Sequence, residues 1–278
     1  MNRNRLKQVG LDRLVRLAWV DKAAMLAMAG NDVATARKLF QEDLRDNFRS
    51  GDGKVRGSAA KTITILTRIW LKVPGELENL RRDGLEIMKN GHMPCRVAMH
   101  WGMLMAVYPF WSSVAAHTGR LLRLQGTVAA THVQRRMREQ YGERETVSRR
   151  ARYALRSLVD WGVICETETK GVYAAGQDYT VEDARQLVWM AEAYLHTREG
   201  GAAPLPDLAA SPIYFPFRIG PVNADNLAAA APRIELIRHG TDDHVVRLRK
   251  HPALAKAPEA KDPGKPRQER PQSWRTSP

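Results

Sequence analysis

The stretch "ETVSRRARYALRSLVDWGVI", residues 145–164, places four arginines within the eight positions Arg149 to Arg156, on a segment that otherwise has the apolar period of a core helix. At 100° per residue, Val147, Ala151, Ala154, Leu155 and Leu158 fall on one side. Arg149, Tyr153 and Arg156 fall on the opposite side, at i, i+4 and i+7. Arg152 sits on one flank and Arg150 nearer the other. The apolar stripe requires something to pack on, whereas the charged face requires water or an anion. Trp161–Gly162 then ends the helical period, and apolar Val163 and Ile164 begin a strand.

The neighbouring segments extend this order. Upstream, "SSVAAHTGRLLRLQG" (112–126) reads as a helix ending on Gly126. "TVAATHVQRRMREQYG" (127–142) reads as a second helix, capped by Thr127 and ending on Gly142. The arginine helix starts with Thr146 as its cap. Downstream, "VICETETKGVYAAG" predicts strands at Val163–Thr167 and Val172–Ala174 around a turn at Thr169–Lys170–Gly171. A closing helix in "TVEDARQLVWMAEAYLHT" takes Thr180 as its cap, with Glu182 and Asp183 in its first turn.

Helix, helix, helix, hairpin over residues 112–197 resembles the winged helix-turn-helix superfamily, and the "LRSLVDWGVI" junction carries that likeness locally. The resemblance implies that the arginine helix is the recognition helix. A helix of this diameter fits the major groove of B-DNA, where arginine forks bond guanine O6 and N7 and tyrosine or serine bonds phosphates or base edges. The expected DNA-contacting residues are Thr146, Ser148, Arg149, Arg150, Arg152, Tyr153 and Arg156. Arg135, Arg136 and Arg138 on the preceding helix flank the groove, and Lys170 at the hairpin tip reaches a neighbouring backbone. The opposing expectation is a solvated surface whose arginines pair with Glu139, Glu143, Glu145 or Asp160.

Charge favours an anionic partner. The 278 residues hold 44 Lys and Arg against 30 Asp and Glu, a net charge of +14. From Arg120 to Arg156 there are ten arginines and three acids; from Ser157 to Gly200 there are three basic residues and eight acids. One end of this segment is therefore strongly positive.

Residues 8–110 read as helices: 11–30 ending on Gly30, a second opening at Asn31–Asp32, then, after a glycine-rich loop at 49–58, one stopping before Pro74 and one ending on Gly91. Between Arg96 and Arg120 lie 23 residues with no Asp, Glu, Lys or Arg. That length suffices for a membrane span. The competing expectation is a buried helix pair broken at Pro109, since Leu and Ile are scarce there. Residues 199–217 read as a linker that docks its aromatics. "RIELIRHG" and "HVVRLR" read as a β-hairpin, and residues from His251 onward as a disordered basic tail.

The fold expected is mainly α. It comprises an N-terminal helical domain (1–96), a buried helix plus winged helix-turn-helix (97–198), a linker with a small helix and β-hairpin module (199–250) and the tail (251–278). Cys95 and Cys165 make no disulfide framework and no CxxC metal pair. No signal-peptide h-region is apparent, and a cytoplasmic protein is expected. "GDGKVRGSAAKT" lacks phosphate-loop spacing. His239 and His244 around "TDD" read as a hairpin turn rather than a metal site. Glu166, Glu168 and Lys170 alternate along a strand without the upstream Asp a nuclease would need. No nucleophile–base pair stands out, so neither catalysis nor a cofactor is expected, and double-stranded DNA is the expected partner. The layout over residues 30–250 is also similar to the BrxA-type component of BREX phage-defence systems. That likeness implies a non-enzymatic DNA-binding accessory within a larger assembly. Two other roles remain open on the sequence: a protein–protein scaffold whose arginines meet acidic side chains, and membrane association through 97–119.

Overall fold

The computed structural model describes residues 3–45, 57–221, 227, 232–239 and 243–249. Residues 1–248 form one compact unit, so the segments 1–96, 97–198 and most of 199–250 share a core. The chain is mainly helical. The first helices are α1 (Arg3–Leu6), α2 (Leu17–Met28), α3 (Val33–Asp43), α4 (Gly57–Trp70) and α5 (Glu78–Lys89). Asp32 caps α3, its Oδ1 accepting from Thr35 N at 2.7 Å, as the sequence predicts.

The uncharged stretch becomes two helices, α6 (Met93–Val107) and α7 (Pro109–Gln125), broken at Pro109. Every side chain from Val97 to Val107 is buried. A helix apolar on all sides needs neighbours all round, and α6 has them in α4, α5, α7 and a later helix, α10 (Ala184–Leu195). No described helix is long and apolar enough to cross a membrane. Small residues set how closely α10 approaches. The Trp189 ring of α10 lies against Gly84 of α5 and Gly102 of α6, and a Cβ at Gly102 would collide with it. Trp189 Nε1–H donates to Leu80 O at 2.8 Å, which satisfies the indole in the interior.

After α7, Gly126 adopts φ 72° and turns the chain into β1 (Thr127–Ala129). Then come α8 (Ala130–Tyr141), α9 (Glu145–Asp160), β2 (Ile164–Glu166) and β3 (Val172–Ala175). The three strands form an antiparallel sheet in the order β1-β3-β2, with Val128 opposite Tyr173 and Cys165 opposite Ala174. Thr127 is thus the first residue of a strand and not a helix cap. Pairing with β3 uses the backbone groups that a helix would have used. The cap position of α9 is Arg144, two residues before the expected Thr146, which lies inside the helix.

Two more corrections concern the segment after β3. Thr180 does not cap α10; it lies in β4 (Tyr179–Val181), and Asp183 caps α10 through Oδ1 to Gln186 N at 2.9 Å. The expected linker at 199–217 contains β5 (Ala202–Pro204), α11 (Asp207–Ala210) and β6 (Phe217–Ile219). β6 pairs in parallel with β4, and Tyr214 and Phe217 are buried, so the aromatics do dock. The hairpin strands form as expected, as β7 (Ile234–His239) and β8 (Asp243–Leu248), with β5 added on the far side of β8. The turn at 240–242, most of 223–232, the loop at 49–56 and the tail from 251 lie outside the described residues.

Trp70, His100, Asp21 and Arg96 in the N-terminal half are paired in a directed chain. Trp70 Nε1–H donates to His100 Nδ1 at 3.1 Å, which leaves His100 Nε2–H to donate to Asp21 Oδ1 at 2.9 Å. Arg96 closes the chain on the same Asp21 oxygen at 2.6 Å. Arg5 is buried and bonds Glu76, Ala106 O and His196 O. Its guanidinium thereby satisfies carbonyls at the C-terminal ends of α6 and α10, where the helix dipole favours a cation.

Substituting Gly102 by Ala should cost about 1–3 kcal/mol of stability through overpacking against Trp189, read as a lowered urea midpoint with unchanged slope. Acid should act through two buried histidines. Burial lowers the His100 pKa, and burial with the nearby Arg5 and Arg233 charges pushes His196 down to about 3, from an ordinary value of 6.5. The unfolded chain takes up those protons first, so stability is full above pH 6.5 and falls as the pH drops toward about 3. Urea midpoints at pH 7 and pH 5 should differ accordingly, and His196→Gln should reduce the difference.

Candidate nucleic-acid interface

The position of α9 follows from its sequence pattern. Val147, Ala151, Ala154, Leu155 and Leu158 are all buried, packed on α8 and α7. Beyond its C-terminus, Trp161 joins Trp111 of α7 and Trp101 of α6 in an aromatic cluster, with ring centroids 5.3–5.9 Å apart. The helix is therefore anchored along one side and at one end.

One flank is covered, which the sequence pattern did not reveal. Residues 11–16, read above as the start of a helix, run outside α2 and lie along α9 instead, with Leu11 at φ 55°. Val15 N donates to Ser157 Oγ at 2.9 Å and Leu17 N to Asp160 Oδ1 at 3.0 Å. Trp161 Nε1–H donates to Val15 O at 2.9 Å, and Arg150 donates to Val9 O. Side chains of α9 and its C-terminal turn thus take the backbone groups that a helix over 11–16 would have bonded internally.

The expected contact residues separate into groups. Ser148 is buried, and its Oγ accepts from Arg138 at 3.1 Å, so it cannot face a ligand; it is removed from the set. Arg150 is half-buried and engaged with Val9, a structural tie. Arg138 bonds Glu143 at 2.8 Å, Arg152 bonds Glu145 at 3.2 Å, and Arg135 and Arg136 share Glu139 at 3.8 and 3.0 Å. The Arg135, Arg136 and Arg152 pairs are exposed, weak and open to exchange, whereas Arg138 is half-buried and also held by Ser148. Thr146 is exposed in the first turn of α9, and Lys170 is exposed at the β2–β3 turn. Arg149 and Arg156 are exposed, with no carboxylate partner among the described residues.

Arg149, Arg150, Tyr153 and Arg156 come together on one cleft of about 830 Å³. Its other walls are Asp12, Arg13, Leu14, Arg16 and Trp19 from the N-terminal segment, and Ser58, Lys61 and Thr62 from α4. Six cations and one carboxylate line it. Arg13 pairs with Asp12 at 3.5 Å and Arg16 with Asp160 at 3.6 Å, whereas Lys61 has no acidic partner among the described residues. Comparison with protein-family models, curated proteins and solved structures finds no match to this chain. The reading of the cleft therefore rests on its own chemistry.

Arg13, Arg16, Lys61 and Trp19 give no signal in the sequence and are brought to the cleft by tertiary placement alone. Trp19 is only half-buried, with the Arg16 guanidinium 5.3 Å from its ring centroid. Trp70, Trp101, Trp111, Trp161 and Trp189, by contrast, are buried. Cys95 is a buried thiol whose pKa burial raises, and Cys165 is an exposed one. Among the described residues, no group of three or more His, Cys, Asp or Glu side chains is placed to hold a metal.

Arg150→Ala should leave Val9 O without its donor and cost about 1–3 kcal/mol. Amide exchange should accelerate at Val15 and Leu17, while Arg149→Ala should leave both stability and exchange unchanged.

Proposed function

We propose that this chain is a non-enzymatic double-stranded DNA-binding protein that presents α9 to the major groove. The observation that carries the reading is the side chain distribution on α9. Its apolar stripe is buried, Arg149 and Arg156 stand exposed without carboxylates among the described residues, and Arg152 is held only by an exposed partner. The order α7, β1, α8, α9, β2, β3, with a β1-β3-β2 antiparallel sheet, is the order of a winged helix-turn-helix, and it supports the same role for α9. In this reading Arg149, Arg152, Tyr153 and Arg156 meet base edges and phosphates. Thr146 lies at the helix start, and Lys170 reaches a flanking backbone from the hairpin. Arg135 and Arg136 exchange Glu139 for phosphate, and Arg138 stays on Glu143 and Ser148.

Affinity in this reading comes mainly from phosphate neutralisation, so it falls steeply with salt. The role assigned is that of a cytoplasmic accessory component in a phage-defence or regulatory assembly, in keeping with the BrxA-like layout. Fluorescence anisotropy with a random-sequence duplex tests the DNA-binding reading. The wild type should bind at 50 mM salt and weaken as salt rises, and the triple variant Arg149→Ala, Arg152→Ala, Arg156→Ala should bind at least tenfold more weakly. Equal binding by the two proteins, or no binding by either, would sink the assignment.

A further inference from the structure

The cleft has a second cationic wall that the recognition-helix reading does not use. Lys61 projects from α4, while Arg13 and Arg16 come from the extended segment stitched to α9. Like charges this close repel, and the carboxylates nearby neutralise only Arg13 and Arg16. Arg150 is held by the Val9 carbonyl, an uncharged partner. Among the described residues, Lys61, Arg149 and Arg156 have no acidic partners across this one cleft. The backbone bonds of Val15 and Leu17 to α9 fix the spacing of the two walls, so the cations are held apart rather than relaxing away from one another. Ser58 and Lys61 also lie in the first turns of α4, a helix of 14 residues whose N-terminal end adds partial positive charge on the same side.

A channel with cations on both walls suits a linear polyanion better than a base edge, because a phosphodiester chain presents charge to both sides at once. A helix seated in the major groove has a sugar–phosphate backbone running along each of its flanks. We infer that one strand's phosphate backbone passes through this cleft, between α9 and the wall formed by Arg13, Arg16 and Lys61. The inference rests on the proposal that α9 binds duplex DNA, and it adds a phosphate clamp contributed by the N-terminal helical region. Arg13 and Arg16 then exchange the carboxylates of Asp12 and Asp160 for phosphate oxygens, and Lys61 contributes one unshared charge.

The clamp predicts a particular salt dependence. Each phosphate neutralised contributes about 0.9 to the slope of log K against log salt, equivalent to roughly eightfold in affinity at 0.1 M salt. Lys61 is exposed on α4, so its replacement should leave the fold intact, which thermal melting checks. Lys61→Ala should weaken binding of a random-sequence duplex about eightfold at 0.1 M salt and lower the slope by about 0.9. Lys61→Glu should weaken it further. Arg185→Ala serves as the control, because it removes an exposed cation from α10 that does not line the cleft. If both Lys61 variants match Arg185→Ala in affinity and slope while the triple α9 variant loses binding, the clamp is wrong and the α9 reading stands. If the wild type fails to bind, or the triple α9 variant binds as well as wild type, both ideas fall together.

Discussion

Four hydrogen bonds between residues 9–17 and the region of α9 hold the two halves of this molecule in register. Each joins groups more than 140 positions apart in the chain. They convert an isolated amphipathic helix into a strut with three engaged surfaces. The apolar stripe lies on α7 and α8, one flank carries the N-terminal segment, and the C-terminal turn enters the tryptophan cluster. What remains open is a narrow face bearing Arg149, Arg152 and Arg156. The charge concentrated there persists because the rest of the helix cannot rotate to hide it.

The interior supplies the rigidity on which that geometry depends. α6 has no exposed side chain from Val97 to Val107, and two glycines let the Trp189 ring wedge in from α10. One set of polar groups that enters this interior is fully paired, in the chain from Trp70 through His100 to Asp21 and Arg96. Arg233 likewise joins Glu192 of α10 at 2.8 Å and Asp83 of α5 at 2.6 Å, tying the residue before β7 to two helices. Burying such ions is favourable only when both partners are present.

Local patterns in the sequence were sufficient wherever a segment's own residues decide its conformation. The apolar period of 147–158 located the buried stripe of α9. Pro109 located the break in the uncharged stretch, and alternation in 234–248 located two strands. Failures occurred where a distant segment took over backbone hydrogen bonds. Leu11 to Arg16 have helical spacing, yet Ser157, Asp160 and Trp161 bond this region in an extended path. Thr127 and Thr180 have the chemistry of caps, yet both were drawn into strands by β3 and β6. The site divides in the same way. Outward-facing arginines were visible on a helical wheel, but the burial of Ser148 under Arg138, the use of Arg150 as a tie, and the arrival of Arg13, Arg16 and Lys61 opposite them depend on tertiary placement alone.

The walls of the basic cleft are encoded at opposite ends of the first 160 residues, and this has a consequence for biosynthesis. While a ribosome has released only α1 to α5, Arg13, Arg16 and Lys61 face no opposing wall, and residues 11–16 lack the side chains that hold them extended. The cleft comes into existence only when α9 and Trp161 have emerged and docked. A half-made chain is thus electropositive without being shaped, and the concave form of that charge marks a finished molecule.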